Sequence, residues 1–393
     1  MYYKNLVLIL FITILIYQSL NINFEQKLIR FIKYSHKYII QIEVDFKKIK
    51  EYINFICNKK LSIIYHFNKF NIPKISFITA VYNKQQYLSQ FLTSVQNQIL
   101  KEFELIIIDD FSTDNSLKII KNYQDKDNRI KLIKNKKNRG TFVSRITGAL
   151  HSKGEYIIWV DPDDIILQNG LYKSYNYIKK YNLSIVQFNA IIQANKTIKI
   201  KYKYHVYSNI VKQPFLSYMF YYNETTKKGD VLNTALWDKL IKREIAIKTI
   251  NFIGKDYIKK RIIIENDVIL LFSLFQNADS YCYINENGYY YIRTNNDSIW
   301  NNWENPQICG LILHGIFTNI KFLFEKAGNT RLDKLYCIFR LKQSFKRYEI
   351  CFSNAQKEYK FIKKILNSLL ISPYVSNNDK FEILILAKLH HIY

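Results

Sequence analysis

Two apolar segments of this chain each run straight into acids. Leu105-Ile-Ile-Ile108 meets Asp109-Asp110, and Tyr156-Ile-Ile-Trp-Val160 meets Asp161-Pro162-Asp163-Asp164. An apolar run that stops at carboxylates reads as a buried parallel strand carrying acids at its carboxyl end. In open α/β sheets ligands bind at that end. The two segments therefore point to one shared site on a sheet rim.

The flanking pattern alternates. Ile75 to Val81 reads as strand and Tyr82-Asn83-Lys84 as turn. Tyr87 to Gln98 has helical spacing through Leu88, Phe91, Leu92 and Val95. Phe103 to Ile108 is a second strand, and Phe111 to Ser116 offers N-cap residues for a helix reaching about Asn122. Ile130 to Ile133 is a short strand, Phe142 to Leu150 a helix ended by Gly154, and Glu155 to Val160 another strand. Strand and helix in turn, with short connections, call for a mostly parallel sheet with right-handed crossovers. Farther on, Asn169 to Tyr181 reads as helix, Ile185 to Ala190 as strand and Ile198 to Val206 as an edge strand or hairpin.

Four motifs sit on these elements in order: Val81-Tyr82-Asn83, Asp109-Asp110-Phe111-Ser112-Thr113-Asp114-Asn115-Ser116, Asn138-Arg139-Gly140 with Arg145, and Gly154-Glu155-Tyr156 leading to the Asp-x-Asp of Asp161-Pro162-Asp163. Together they resemble glycosyltransferase family 2. Leu236-Trp237-Asp238-Lys239-Leu240, Glu265-Asn266-Asp267 before an apolar helix, and the stretch from Gly288 through Arg293 to Ser298 extend the likeness over 73–300. Ala80, Lys84, Ile146-Thr147 and Asn266 depart from the family's usual residues.

The resemblance implies a GT-A fold, that is, an α/β Rossmann-like, mostly parallel sheet flanked by helices. It implies an inverting transfer of a sugar from a nucleotide-diphosphate donor, UDP-linked, to a hydroxyl on a glycan, lipid or protein acceptor. By the same resemblance Asp110 with Asp109 would recognise base and ribose, Tyr82 would stack on the base, and Arg145 would reach the nucleotide. Asp267 would be the general base, with Glu265 as substitute if the register slips. Asp163 and Asp161 are the candidate ligands for Mn²⁺ or Mg²⁺, hard ions that bridge one or two carboxylates to phosphate. Such a cation offsets charge growing on the leaving diphosphate. Three choices stay open: Asp161 on metal or ribose, Asp164 orienting loop or sugar, and Trp237 in pocket or core. Asn266 and Lys84 motivate the alternative of an inactive relative that binds nucleotide sugar or serves as a scaffold.

The amino end carries a different signal. Leu6 to Leu20 is almost wholly apolar, which is short for a spanning helix of about 20 residues. It reads as an uncleaved signal anchor or a signal peptide over 1–22. Leu28, Ile32, Ile39, Ile42, Phe46, Ile49, Ile53 and Ile56 then recur every three or four positions, an amphipathic stem over 23–72. That stripe suits either a homodimeric coiled coil or packing on the chain's own catalytic domain. Lys27, Arg30, Lys33 and Lys37 favour a cytosolic bulk, whereas Asn182, Asn195, Asn223 and Asn296 begin glycosylation sequons that suit an endomembrane lumen, in Golgi or ER. Residues 301–393 read as a helical extension, with amphipathic helices over 308–325, 331–349 and 358–370.

Composition excludes some classes. The formal charge is +26, but the lysines are scattered and no zinc-finger or RNA-binding aromatic motif occurs, so no nucleic-acid partner is expected. The five cysteines form no CxxC pair and read as buried thiols.

Overall fold

Alternation along three strands builds the core. In this computed structural model β1 (Ile75–Val81), β2 (Phe103–Asp109) and β4 (Tyr156–Trp159) pair in parallel, with β1 in the middle. Successive side chains point to opposite faces. Ile78, Ile106, Ile108, Ile157 and Trp159 pack on one face, and Phe77, Leu105, Ile107 and Ile158 on the other. Each such side chain, fully buried, contributes about 1.5–3 kcal/mol relative to exposure.

Helices cover both faces. On the first lie α3 (Thr141–His151), α5 (Arg243–Ile253), α6 (Lys255–Ile258), α7 (Asn266–Asn277) and α8 (Pro306–Lys326). On the second lie α1 (Leu88–Gln96), α2 (Ser116–Gln124) and α4 (Gln168–Tyr181). Gly148 lets α3 sit close: a Cβ there would lie 2.3 Å from Ile78 Cγ2 and 2.7 Å from Ile108 Cδ1.

Among the described residues the sheet has ten strands, and eight of them lie on one path: β3 (Ile130–Lys134), β2, β1, β4, β9 (Lys239–Lys242), β6 (Ile185–Ala194), β10 (Ser280–Ile292) and β5 (Ile165–Ile166). β3 extends the parallel half. β9 runs antiparallel between β4 and β6. β10 is parallel to β6 and antiparallel to β5. β7 (Thr197–Lys201) pairs antiparallel with β6, within the 198–206 stretch where an edge strand or hairpin is expected, and β8 (Val211–Lys212) pairs with β10. The expected parallel α/β half is present, and a mixed half follows it.

β9 is one of several strands that the pattern does not mark. Its Lys239 is fully buried. Its Nζ donates to Asp238 Oδ1 at 2.6 Å and to the Ala235 carbonyl at 2.7 Å. A neighbouring acid thus carries a lysine into the sheet.

The structure describes residues 73–194, 197–201, 210–213, 235–263, 266–292 and 306–326, with a few isolated positions between 367 and 380. The apolar segment 6–20, the stem over 23–72, the sequon residues Asn195, Asn223 and Asn296, Glu265 and the helix expected over 331–349 lie outside them. Among the described residues no helix is long and apolar enough to cross a membrane.

Candidate active site

The acids stand at the carboxyl rim of the parallel half. Asp109 closes β2 opposite Val81, and the Asp110 N–H donates to the Val81 carbonyl at 2.8 Å. The Val160 N–H donates to the Ile78 carbonyl at 2.9 Å, which carries β4 one residue farther before Asp161.

Asp110 organises the rim from within. It is 3% exposed. Its carboxylate accepts from Asn135 Nδ2 at 2.7 Å and from the backbone N–H groups of Arg139 at 2.8 Å and Gly140 at 2.7 Å. Three donors fill most of a carboxylate's acceptor capacity. The geometry therefore gives Asp110 to the Asn138-Arg139-Gly140 loop, and the base-and-ribose role rests on the resemblance alone. Asp109 Oδ1 accepts the Ser112 N–H at 3.3 Å.

Two rim turns are tied together. Asn83 N–H donates to Ser112 Oγ at 3.1 Å, and Asn83 Oδ1 accepts the Thr113 N–H at 2.8 Å. The Lys84 N–H meets Ser116 Oγ at 2.8 Å, and the Gln85 N–H meets Asp114 Oδ2 at 3.0 Å. Tyr82 and Phe111, one beside each turn, are about half exposed. Phe111 has φ +69°, a left-handed backbone uncommon for a bulky residue. The sequence reading names Tyr82 and passes over Phe111, because an aromatic within an acidic turn carries no periodic signal.

Asp164 turns inward and holds the loop. Its carboxylate accepts the Tyr289 hydroxyl at 2.8 Å and the Ile292 N–H at 2.9 Å. The same hydroxyl accepts the Asp161 N–H at 3.0 Å. Burial, then the charges of Asp163 and Asp161, push the Asp164 carboxyl well above its ordinary range. Trp237 stacks on Tyr289 at 4.6 Å and on Tyr291 at 5.5 Å, and is 7% exposed. Of its two open readings the structure favours the core.

Arg145 joins acids from distant elements. On α3 it is 5% exposed. Its Nη2 donates to Asp161 Oδ1 at 2.7 Å, and its Nη1 donates to Asn266 Oδ1 at 2.6 Å and to Asp267 Oδ1. Trp159 Nε1 donates to the Arg145 carbonyl at 3.1 Å and fixes the helix turn beneath. Burial pulls the guanidinium down, and Asp267 and Asp161 more than offset it, so it stays charged. Arg145 spans the candidate base and a candidate metal ligand. Asn266, which the sequence marks only as a departure, completes that span.

Asp267 opens α7. Burial raises its pKa, Arg145 offsets part of the rise, and Asp161 adds to it. Asp163 pairs with Lys84, Nζ to Oδ2 at 2.6 Å. Among the described residues no three His, Cys, Asp or Glu side chains converge as an all-protein metal cage. Asp161 and Asp163 still fit a hard cation by donor chemistry. Such ions take one or two carboxylates and complete their shell with water and phosphate.

A profile of the family described as Glycosyl transferase family 2 matches residues 76–248. A glycosyltransferase of Methanocaldococcus jannaschii is 31% identical over 216 residues, which are 53% of this chain and 73% of that protein. The chain belongs to glycosyltransferase family 2. A cholesterol galactosyltransferase of Borreliella burgdorferi is 31% identical over 221 residues, 56% of this chain and 59% of that protein. The chain thus spans less than two thirds of that relative's length. The structure of S. aureus TarS 1-349 in complex with UDP-GlcNAc aligns with TM-score 0.56 at 16% identity, covering 81% of this chain and 87% of that one. At that identity the likeness speaks for the fold, and it agrees with the GT-A architecture of this family-2 domain.

Proposed function

We propose that this family-2 chain transfers a sugar from a UDP-linked donor to an acceptor hydroxyl, with inversion and with a divalent cation at the diphosphate. One observation carries the reading: Asp161, Asp163 and Asp267 gather around Arg145 and Lys84 at the carboxyl rim of the parallel strands. That rim is where open α/β sheets bind ligands. The UDP-GlcNAc complex of the fold neighbour TarS supports the donor class.

In this reading Asp267 takes the proton of the acceptor hydroxyl as its oxygen attacks the anomeric carbon. The diphosphate leaves from the opposite face, so one displacement inverts the centre without a covalent intermediate. Arg145 holds Asp267 and Asp161 in fixed relation. Asp163 and Asp161 would hold the cation, whose chemistry is to neutralise charge on the departing diphosphate. Tyr82 lies exposed at the rim, where a base can stack on its ring. The acceptor is a hydroxyl of a glycan, lipid or protein.

The test is a screen of UDP-sugars with Mn²⁺, following nucleotide release, on the parent, Asp163→Ala and Asp267→Asn. Turnover by the parent and its loss in both variants supports the reading. Equal turnover in all three would sink it. The engagement of Asp267 by Arg145 favours one second reading, a nucleotide-sugar binder without transfer, which predicts UDP binding and no turnover with any acceptor.

A further inference from the structure

We propose that Lys84 is a built-in counter-ion of Asp163 that a divalent cation has to displace, so that this side chain sets how tightly the chain takes its metal. The inference rests on the functional reading above and deepens it at one residue.

Among the described residues Arg145 and Lys84 sit on the rim acids, and they differ in freedom. Arg145 is buried and donates to three side chains at once. Releasing it would strand Asp267 and Asp161 without their partner. Lys84 starts from a backbone pinned to the 112–116 turn, and reaches Asp163 on a flexible four-carbon stem. Its side chain is 19% exposed and that of Asp163 is 21% exposed. The ammonium can therefore swing outward into water, and the guanidinium cannot.

The contact itself is competitive. Nζ lies 2.6 Å from Asp163 Oδ2, on one of the two carboxylates that suit a cation. A divalent cation held by that carboxylate would face the ammonium as a like charge, so the two compete for Asp163. The electrostatics point the same way. Burial pulls Lys84 down, yet the charges of Asp163 and Asp161 leave its pKa above the ordinary value. Both candidate metal ligands thus already spend attraction on Lys84. A metal gains less at such a site than at the same acids without the lysine.

The experiment is a Mn²⁺ titration of the full chain with UDP present, followed by electron paramagnetic resonance of free Mn²⁺. Lys84→Met removes the charge and keeps the stem. It should tighten Mn²⁺ binding about tenfold, about 1.4 kcal/mol. Lys84→Arg keeps a cation in place and should bind near the parent. Asp163→Asn should lose the site. Thermal melting of each variant checks folding. Tighter binding by Lys84→Met, including binding where the parent shows none, supports the proposal. An unchanged Lys84→Met beside a weakened Asp163→Asn overturns it and leaves the metal reading standing. No Mn²⁺ bound by any variant overturns both.

Discussion

Arg145 and Asp267 lie 122 positions apart in sequence, on α3 and at the start of α7, and share a direct ion pair. The same guanidinium reaches Asp161, so three elements are registered by one planar fork. Lysine cannot reproduce that span. Arg145→Lys is expected to lower kcat roughly 100-fold, the cost of a misplacement of about 1 Å. It should also cost up to about 3 kcal/mol of stability, the low end for a broken buried pair, because the side chains of Asp267 and Asp161 are each 30% exposed. A kcat near the parent's would show that the fork does not position the base.

A general base works ionised, so protonating Asp267 switches the reaction off. Burial and Asp161 raise its pKa, and Arg145 offsets only part of that. The acid limb of kcat against pH is therefore expected above about 3.9, the ordinary aspartate value. Asp267→Asn should abolish that limb and lower kcat by roughly 10²–10⁴. A limb at or below the ordinary value in the parent would place the base elsewhere.

Much of the rim could be read before any coordinates, because apolar runs ending in acids define strand ends. β1, β2, β3, β4 and α4 fall where patterning put them, within a residue or two. The partnerships could not be read. Asp110 looks like a ligand from its position, and only the fold shows Asn135, Arg139 and Gly140 converging on it. Arg145 reads from the sequence as a residue that reaches the nucleotide, and nothing local tells that Asn266 and Asp267 return to meet it. Tyr289 is hidden for the same reason, since its partner Asp164 lies 125 positions away. Lys239 has its acid next door in Asp238, but its burial depends on β9 pairing between β4 and β6.

Asp164 offers a stability test with a definite sign. Its folded pKa is raised by burial and by Asp163 and Asp161. The folded state then holds the proton more tightly than the unfolded one. That contribution is fully present below the unfolded pKa, about 3.9, and is lost as pH rises through the folded value. Asp164→Asn stays neutral throughout, and its amide oxygen can still accept the Ile292 N–H. The melting temperature of Asp164→Asn relative to the parent should rise as pH increases above about 3.9. A difference that stays flat with pH would show that Asp164 does not titrate out of its ordinary range.

Gly148 tests whether the seating of α3 sets the position of Arg145. A Cβ at 148 would meet Ile78 Cγ2 at 2.3 Å and Ile108 Cδ1 at 2.7 Å, closer than carbon atoms pack. Both isoleucines are fully buried on central strands, so α3 has to lift instead. Gly148→Ala should cost about 1–3 kcal/mol by overpacking, despite alanine's better helix propensity. Lifting the helix also moves the Arg145 fork away from Asp161 and Asp267, so kcat should fall more than the loss of folded protein explains. Ile78→Ala removes the Cγ2 that the new methyl would strike. The double variant should therefore lose clearly less stability than the two single losses added together, and should recover part of kcat. Strict additivity of the two losses, by denaturant unfolding, would show that the close approach of α3 to β1 does not govern this end of the site.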